Sequence, residues 1–294
     1  MKAEVREPMR FAVIGGDRRA ALLAEQLLSD GHRVHSYALE KAELPKEIPK
    51  DSCLQACVYG ADCVVLPVPT ETAGLLNTPL SDLVLPMGEV LSALWPGQLL
   101  CAGRLSDESC REAVRGKLRV EEILRRPDYA AGNAALTAEG AVGVLISSSE
   151  RALVKSRVLI TGFGRIGQLL ARRLEGLGAQ VSVAARSARD RAMAAALGYG
   201  AVAYPALESA IGDFDFIVNT VPARVLSDAA LCCVSPQALL LELASPPGGF
   251  DRVLAENIGL HALAAPGLPG KCAPYSAALL LRDAVYAALE EQED

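Results

Sequence analysis

Short runs of apolar and β-branched residues recur along the chain, each stopping at glycine or proline and followed by a stretch with one apolar face. Four to six such residues in a row read as a strand buried on both faces, as in a parallel sheet. The clearest run is Val158-Leu159-Ile160-Thr161, which breaks into Gly162-Phe163-Gly164-Arg165-Ile166-Gly167. Over 168–177, Leu169, Leu170 and Leu174 share one helical face, Gly178 closes the helix, and Gln180-Val181-Ser182-Val183-Ala184 supplies the next strand. The same pattern predicts strands over 10–14, 33–37, 61–66, 99–104, 214–222, 238–245 and 260–264. It predicts helices over 20–28 and 275–290, the latter with Ala278, Leu279, Ala284, Val285, Ala288 and Leu289 on its apolar side.

Strand–loop–helix units repeating at about 30 residues imply an α/β fold. The expected architecture is two Rossmann-like parallel-sheet domains separated by a cleft, with the C-terminal helix folding back on the first domain. We place an N-terminal Rossmann-like substrate domain at 1–132, an interdomain helix at 133–151, a nucleotide-binding Rossmann domain at 152–272 and the C-terminal helix at 273–294. Asn133 or Thr137 would cap the interdomain helix, which would bring Asn133, Thr137 and Glu139 to face the cleft.

The glycines of the central unit have separate jobs. Gly162 makes the tight turn, Gly164 lets backbone approach a pyrophosphate, and Gly167 lets the helix pack close to the strand, while Arg165 and Ile166 open the helix whose N–H groups face the anion. A site selecting NAD carries Asp or Glu at the end of the second strand. Here that strand ends Ala184-Ala185-Arg186-Ser187, and a guanidinium beside a hydroxyl suits a 2′-phosphate, so NADP (NADPH) is the expected cofactor. Thr220, Val221 and Pro222 follow another buried strand and would meet the nicotinamide half. The first domain repeats the outline at Ile14-Gly15-Gly16-Asp17-Arg18-Arg19 but lacks the third glycine and adds charge. That turn suits a substrate, with Arg18 and Arg19 holding a carboxylate.

Composition narrows the partners. Of 294 residues 51% are apolar and only 4% aromatic, with a formal charge of −6 and scattered arginines, which argues against a nucleic-acid partner or an anionic membrane surface. No apolar run approaches the roughly 18 residues that span a bilayer, and Met1-Lys2-Ala3-Glu4-Val5-Arg6-Glu7 lacks a signal core, so a cytoplasmic location is expected. Eight cysteines include no C-x-x-C pair and only three histidines accompany them; no metal is expected, and most cysteines read as small buried hydrophobes. His261 lies within an apolar strand and reads as a core histidine.

The chain resembles the A subunit of bacterial dipicolinate synthase. The likeness rests on the first-domain turn, on Asn133 with Thr137-Ala138-Glu139-Gly140, on the Gly162 motif, on Leu243-Ala244-Ser245 with Pro247-Gly248-Gly249-Phe250-Asp251, and on Pro266-Gly267-Leu268-Pro269-Gly270-Lys271. It departs at Glu242, where the family suggests Asp, and at Tyr275, where Thr is common. The resemblance implies an oxidoreductase of spore formation, acting in the mother cell on the branch off lysine synthesis. It would make dipicolinate from a dihydro- or hydroxytetrahydro-dipicolinate, work with the synthase's flavoprotein-like B subunit, and form a homo-oligomer. A small dicarboxylate substrate needs cations: Arg18, then Arg19, and Lys271 on the loop after the sixth strand, with Asn133 and Tyr275 as further contacts. Lys271, Glu139, Asp17 and Tyr275 are all open as proton acceptors. Two other readings stand beside this one, an NADP-dependent 2-hydroxy acid dehydrogenase and a non-catalytic NADP-binding sensor.

Overall fold

The computed structural model describes residues 7–291; residues 1–6, read above as lacking a signal core, and 292–294 lie outside the described residues. The strands are β1 (Arg10–Ile14), β2 (Arg33–Tyr37), β3 (Cys63–Val65), β4 (Glu71–Thr72), β5 (Leu75–Leu76), β6 (Leu99–Ala102), β7 (Arg119–Glu122), β8 (Arg157–Thr161), β9 (Gln180–Ala184), β10 (Gly200–Val202), β11 (Phe216–Asn219), β12 (Leu239–Glu242) and β13 (His261–Ala264). The helices are α1 (Arg18–Ser29), α2 (Leu54–Val58), α3 (Met87–Ser92), α4 (Asp107–Arg115), α5 (Pro127–Ser147), α6 (Arg165–Gly176), α7 (Ala188–Ala196), α8 (Leu207–Ala210), α9 (Asp228–Cys232), α10 (Arg252–Asn257), α11 (Leu268–Cys272) and α12 (Pro274–Glu290). The chain forms two compact units, residues 1–133 with 273–294, and residues 134–272.

The first unit carries a parallel sheet in the order β2-β1-β3-β6-β7, with the antiparallel β4–β5 hairpin as a separate ribbon. The central strands are buried on both faces, so alternate side chains feed two cores, one built on Phe11, Val13 and Val65 and the other on Ala12, Ile14 and Val64. The chain order reverses between β1 and β3, and in open α/β sheets ligands gather at the carboxyl ends beside such a reversal. α12 belongs to this unit. Its buried stripe, Ala277, Ala278, Leu281, Ala284, Val285 and Ala288, recurs at helical spacing and packs against α1. Small side chains on both helices, Ala20, Ala21 and Ala24 on α1 among them, permit the close approach.

In the second unit the parallel sheet runs β10-β9-β8-β11-β12-β13, the doubly wound order of dinucleotide-binding folds. Its reversal lies between β8 and β11. Val158, Ile160 and Val218 face one core with α5 and α6, and Leu159, Ile217 and Leu240 face the other.

Three expectations need correcting. The helix expected to start at Asn133 or Thr137 starts at Pro127, so both residues lie inside it. Proline fixes φ at the first helical position, Asp128 adds a favourable charge in the first turn, and an alanine-rich sequence carries the helix on through Gly132. That helix is also, by length and mean hydropathy alone, apolar enough to cross a membrane, although no unbroken apolar run marks it in the sequence. Its Ala134, Ala138, Ala141 and Leu145 are buried, the last three within the core around β8. Finally, of the eight cysteines only Cys57, Cys63 and Cys101 are buried; Cys53, Cys232, Cys233 and Cys272 are exposed, at helix ends rather than in strands.

Candidate functional site

β8 leads into α6 through Gly162, whose φ of +91° belongs to the left-handed region that favours glycine. A Cβ there would stand 2.6 Å from both Thr220 Oγ1 and Val221 Cγ2, so the turn is closed against the loop after β11. Thr220 is itself fixed, its hydroxyl donating to the Thr161 carbonyl at 2.7 Å. Gly164 is the N-cap residue of α6 and provides no side-chain cap, which leaves the first-turn N–H groups, those of Arg165, Ile166 and Gly167, to meet an anion. The space beyond Gly164 is open, with no atom within 4 Å of a Cβ position, whereas a Cβ on Gly167 would overlap the Gly162 carbonyl. One glycine is needed for the turn, one for approach from outside and one for helix–strand contact. These residues fit a dinucleotide's pyrophosphate.

At the end of β9 the Arg186 side chain is exposed, and among the described residues no carboxylate pairs with it. Arg191 turns back instead, donating to the carbonyls of Ala185 and Arg186 at 2.8 Å each, which rigidifies the turn that presents Arg186. Ser187 Oγ caps α7 by accepting the Asp190 N–H at 3.3 Å. A cation without a competing carboxylate, on a braced turn, is left open to an anionic group.

The loops that follow β11 and β12 are joined by Asn219 and Glu242, a link that the sequence did not reveal. Asn219, fully buried, accepts the Thr161 hydroxyl at 2.6 Å and donates to Glu242 Oε1 at 2.6 Å. Pattern alone shows two strands ending in polar residues; that those residues bond to one another follows from the in-register pairing of Asn219 with both Thr161 and Glu242.

The corresponding turn of the first unit is occupied by its own chain. Gly15 and Gly16 have φ of +64° and +101°, but the Gly16 N–H donates to the Asn77 carbonyl at 2.9 Å, and a Cβ on Gly15 would meet Thr78 and Leu76. The amide that a phosphate would need is spent, so this turn does not repeat the dinucleotide site. Asp17 caps α1 and receives Arg19, whose Nε and Nη2 reach its oxygens at 2.8–3.2 Å, while Nη2 also donates to the Val68 carbonyl. Burial acts to lower the Arg19 pKa, and Asp17 with Tyr129 more than reverses it, leaving the pKa above the ordinary arginine value. Arg19 is therefore a buried strut rather than an open carboxylate clamp, and Asp17 is its counter-ion. Arg18 is exposed beside them.

Comparison with known proteins finds the same likeness. Residues 10–124 match the N-terminal domain of the dipicolinate synthase A subunit, and residues 111–240 match the NAD binding domain of D-isomer specific 2-hydroxyacid dehydrogenases. The dipicolinate synthase A subunit of Bacillus subtilis (strain 168) is 29% identical over 286 residues, covering 96% of each chain. The chain is similar to dipicolinate synthase A subunits over nearly its whole length. The crystal structure of the Bacillus halodurans A subunit superposes with a TM-score of 0.85 at 26% identity, covering 96% of this chain and 97% of that one, and that of the B. subtilis protein with 0.84 at 29%, covering 97% of each. A transhydrogenase from Sinorhizobium meliloti, with a TM-score of 0.71 at 17% identity over 96% of this chain and 93% of that one, shares the fold. The protein is an NAD(P)-dependent oxidoreductase.

The remaining candidates sort by unit. In the second, Glu139 and Lys271 are exposed, and Lys271 lies on the short helix α11 rather than on the loop expected there. α11 is held close to α5 at Gly140, where a Cβ would come within 3.0 Å of Leu268 Cβ and 3.2 Å of Cys272 Sγ. Glu139 and Lys271 are thus chain neighbours of residues in direct contact. Thr137, in the same unit, is buried and has a partner. In the first unit Asn133 is half-buried, also with a partner, and Tyr275 is exposed at the start of α12, its carbonyl accepting Gln26 Nε2 at 3.5 Å. His261 is not a core histidine: it is exposed, on the edge strand β13, and no carboxylate pairs with it among the described residues. A 2-hydroxy acid mechanism that relies on a His–carboxylate pair finds none at that position.

Proposed function

We propose that the protein oxidises dihydrodipicolinate, or its hydroxytetrahydro precursor, to dipicolinate with NADP⁺ as the acceptor. The observation that carries the cofactor choice is the unpaired Arg186 at the end of β9, where an NAD site would carry a carboxylate. The substrate class rests on the likeness to the B. subtilis dipicolinate synthase chain over 96% of this one. The bound nicotinamide would accept the hydride from a ring carbon, and aromatisation of the product ring would drive the step. One ring proton must leave with that hydride. With the hydroxytetrahydro precursor, loss of one water comes first.

The protein's share of this chemistry is to bind and orient. The Gly162–Gly167 turn would hold the pyrophosphate, Arg186 and Ser187 the 2′-phosphate, and Thr220, Val221 and Pro222 the nicotinamide half. Arg18 is proposed as a carboxylate anchor of the first unit and Lys271 as one of the second, with Asn133 and Tyr275 as accessory contacts. For the proton, Glu139 offers an exposed carboxylate, whereas Asp17 is committed to Arg19. The enzyme is proposed to act in the cytoplasm of the mother cell during sporulation, as a homo-oligomer and together with the synthase's B subunit.

The test is to titrate the purified chain with NADPH and NADH, then supply freshly generated dihydrodipicolinate with NADP⁺ and follow dipicolinate absorbance. Tight NADPH binding with product formation supports both halves of the proposal. NADPH binding with no product, even in the presence of the B subunit, would sink the reaction and leave the nucleotide site standing.

A further inference from the structure

The carboxylate of Glu242, the last residue of β12, receives three donors. Oε1 accepts Asn219 Nδ2 at 2.6 Å and the Ala244 N–H at 2.8 Å, and Oε2 accepts the Gly249 N–H at 2.7 Å. Asn219 is committed in turn: its Oδ1 takes the Thr161 hydroxyl at 2.6 Å and the Val221 N–H at 3.2 Å, and its Nδ2 also donates to the Val221 carbonyl at 2.9 Å. A continuous series of hydrogen bonds therefore crosses β8, β11 and β12 at their carboxyl ends, beside the chain reversal where ligands of such sheets bind.

The backbone is shaped around this acid. Gly248 has φ of +79°, and a Cβ on it would stand 2.9 Å from Glu242 Oε2; a Cβ on Gly249 would overlap the Asn219 side chain. Only an acceptor-only group satisfies three N–H donors at once, because a glutamine would turn its own NH₂ against one of them. Through Asn219 the same acid fixes Val221, which lies against Gly162 of the phosphate turn.

We infer that Glu242 is a positioning residue, locking the 219–222 and 244–249 loops to each other and to the phosphate turn so that the nicotinamide ring is held in one orientation. The inference rests on the dinucleotide reading of this unit. It separates two effects. Nucleotide affinity, set by the phosphate turn and Arg186, should survive loss of the lock, whereas the orientation of the ring should not.

The experiment compares wild type, Glu242→Gln and Glu242→Asp in the full chain. In nucleotide-free protein, hydrogen exchange at Val221, Ala244 and Gly249 should accelerate together in Glu242→Gln, by about tenfold or more, with Ile160 and Val218 unchanged. NADPH should bind within about threefold of wild type, with altered nicotinamide fluorescence, while kcat falls by about tenfold or more at unchanged substrate KM. Glu242→Asp, which keeps two acceptor oxygens on a shorter arm, should recover part of the loss. Wild-type exchange and wild-type kcat in Glu242→Gln would overturn the inference. So would matched losses of melting temperature and NADPH affinity with kcat untouched, the pattern of a purely structural part. If wild type itself fails to bind NADPH or turn over, the proposed function falls, and the exchange measurement still decides whether the loops are locked.

Discussion

Gly167 lies against the carbonyl of Gly162 with no room for a side chain between them. The contact joins the first turn of α6 to the end of β8 and sets the direction in which the helix N-terminus points. Earlier in the same motif the opposite holds, since the space around Gly164 is empty. Alanine should therefore act differently at the two places. Gly167→Ala forces helix and strand apart and should destabilise the protein by about 1–3 kcal/mol. Gly164→Ala should change stability by less than about 1 kcal/mol yet weaken NADPH binding by about tenfold or more, because the methyl group stands where the nucleotide approaches. Thermal unfolding and nucleotide titration of both variants read the difference, and wild-type affinity in Gly164→Ala would remove the pyrophosphate from this turn.

Asp17→Asn addresses the strut of the first unit. Asparagine can still cap α1, but it leaves the Arg19 guanidinium, whose side chain is only 7% exposed, without its counter-ion. Removing one member of a largely buried pair is expensive, and we expect a loss of about 3 kcal/mol in denaturant unfolding. Because Asp17 itself is about one-third exposed, Arg19→Met should cost less than Asp17→Asn. The reverse ranking would mean that Arg19 is not held as described.

How far the sequence could be read varied with burial. Strands buried on both faces announce themselves, as 10–14 does, and 33–37 and 180–184 are legible to the residue because Val34 and Ser36, and Val181 and Val183, alternate as buried positions behind the turns at Gly31 and Gly178. β7, Arg-Val-Glu-Glu, was not, since an edge strand with charged side chains has no apolar run to show. α4 was equally silent; it buries only Ser109 and Ala113 and owes its start to the Ser106 cap. The start of α5 was misplaced because plausible capping residues, Asn133 and Thr137, stand inside a helix that Pro127 had already begun. For the site, glycine spacing carried the phosphate turn, but the burial of Arg19 depends on the Val68 carbonyl 49 residues away. The Asn219–Glu242 bond spans 23 residues and needs strand register to be known. Contacts of this kind leave no local signature.

The docking of the C-terminal helix should depend on pH. Arg126 binds Glu291 at 2.8 Å, Glu121 at 3.2 Å and Asp128 at 3.3 Å. Hydrogen bonding to Arg126 holds the Glu291 carboxyl below the usual range; burial pushes that of Asp128 up, but the Tyr129 N–H and Arg126 outweigh it, so it too is lowered. A lowered carboxyl pKa contributes stability that is complete above the unfolded value of about 4 and is lost as pH falls through the lower folded value. The gap in melting temperature between wild type and Arg126→Gln should thus be constant above about pH 5 and close as the pH falls below the unfolded value of about 4 and through the lower folded one. A gap that persists undiminished in acid would place the stabilisation elsewhere.

Arg186 offers the sharpest test of cofactor choice. Its guanidinium is exposed, the turn beneath it is braced by Arg191, and no carboxylate competes for it among the described residues. Two charge-assisted hydrogen bonds to a dianionic phosphate carry both attraction and direction, so Arg186→Ala should weaken NADPH by about tenfold to a hundredfold, the loss of about 1.5–3 kcal/mol. NADH lacks the phosphate and should be unaffected within about twofold, since a rim arginine gives it nothing to lose. Arg186→Asp goes further: the carboxylate repels the 2′-phosphate and can accept the ribose hydroxyl, which should reverse the preference rather than merely flatten it. The selectivity of Arg191→Ala is the control. That side chain donates to backbone carbonyls, so its loss should loosen the turn and reduce NADPH affinity only by about threefold. Equal weakening of NADPH and NADH in Arg186→Ala would show that the residue senses a part common to both nucleotides, and the assignment of the 2′-phosphate to it would be withdrawn.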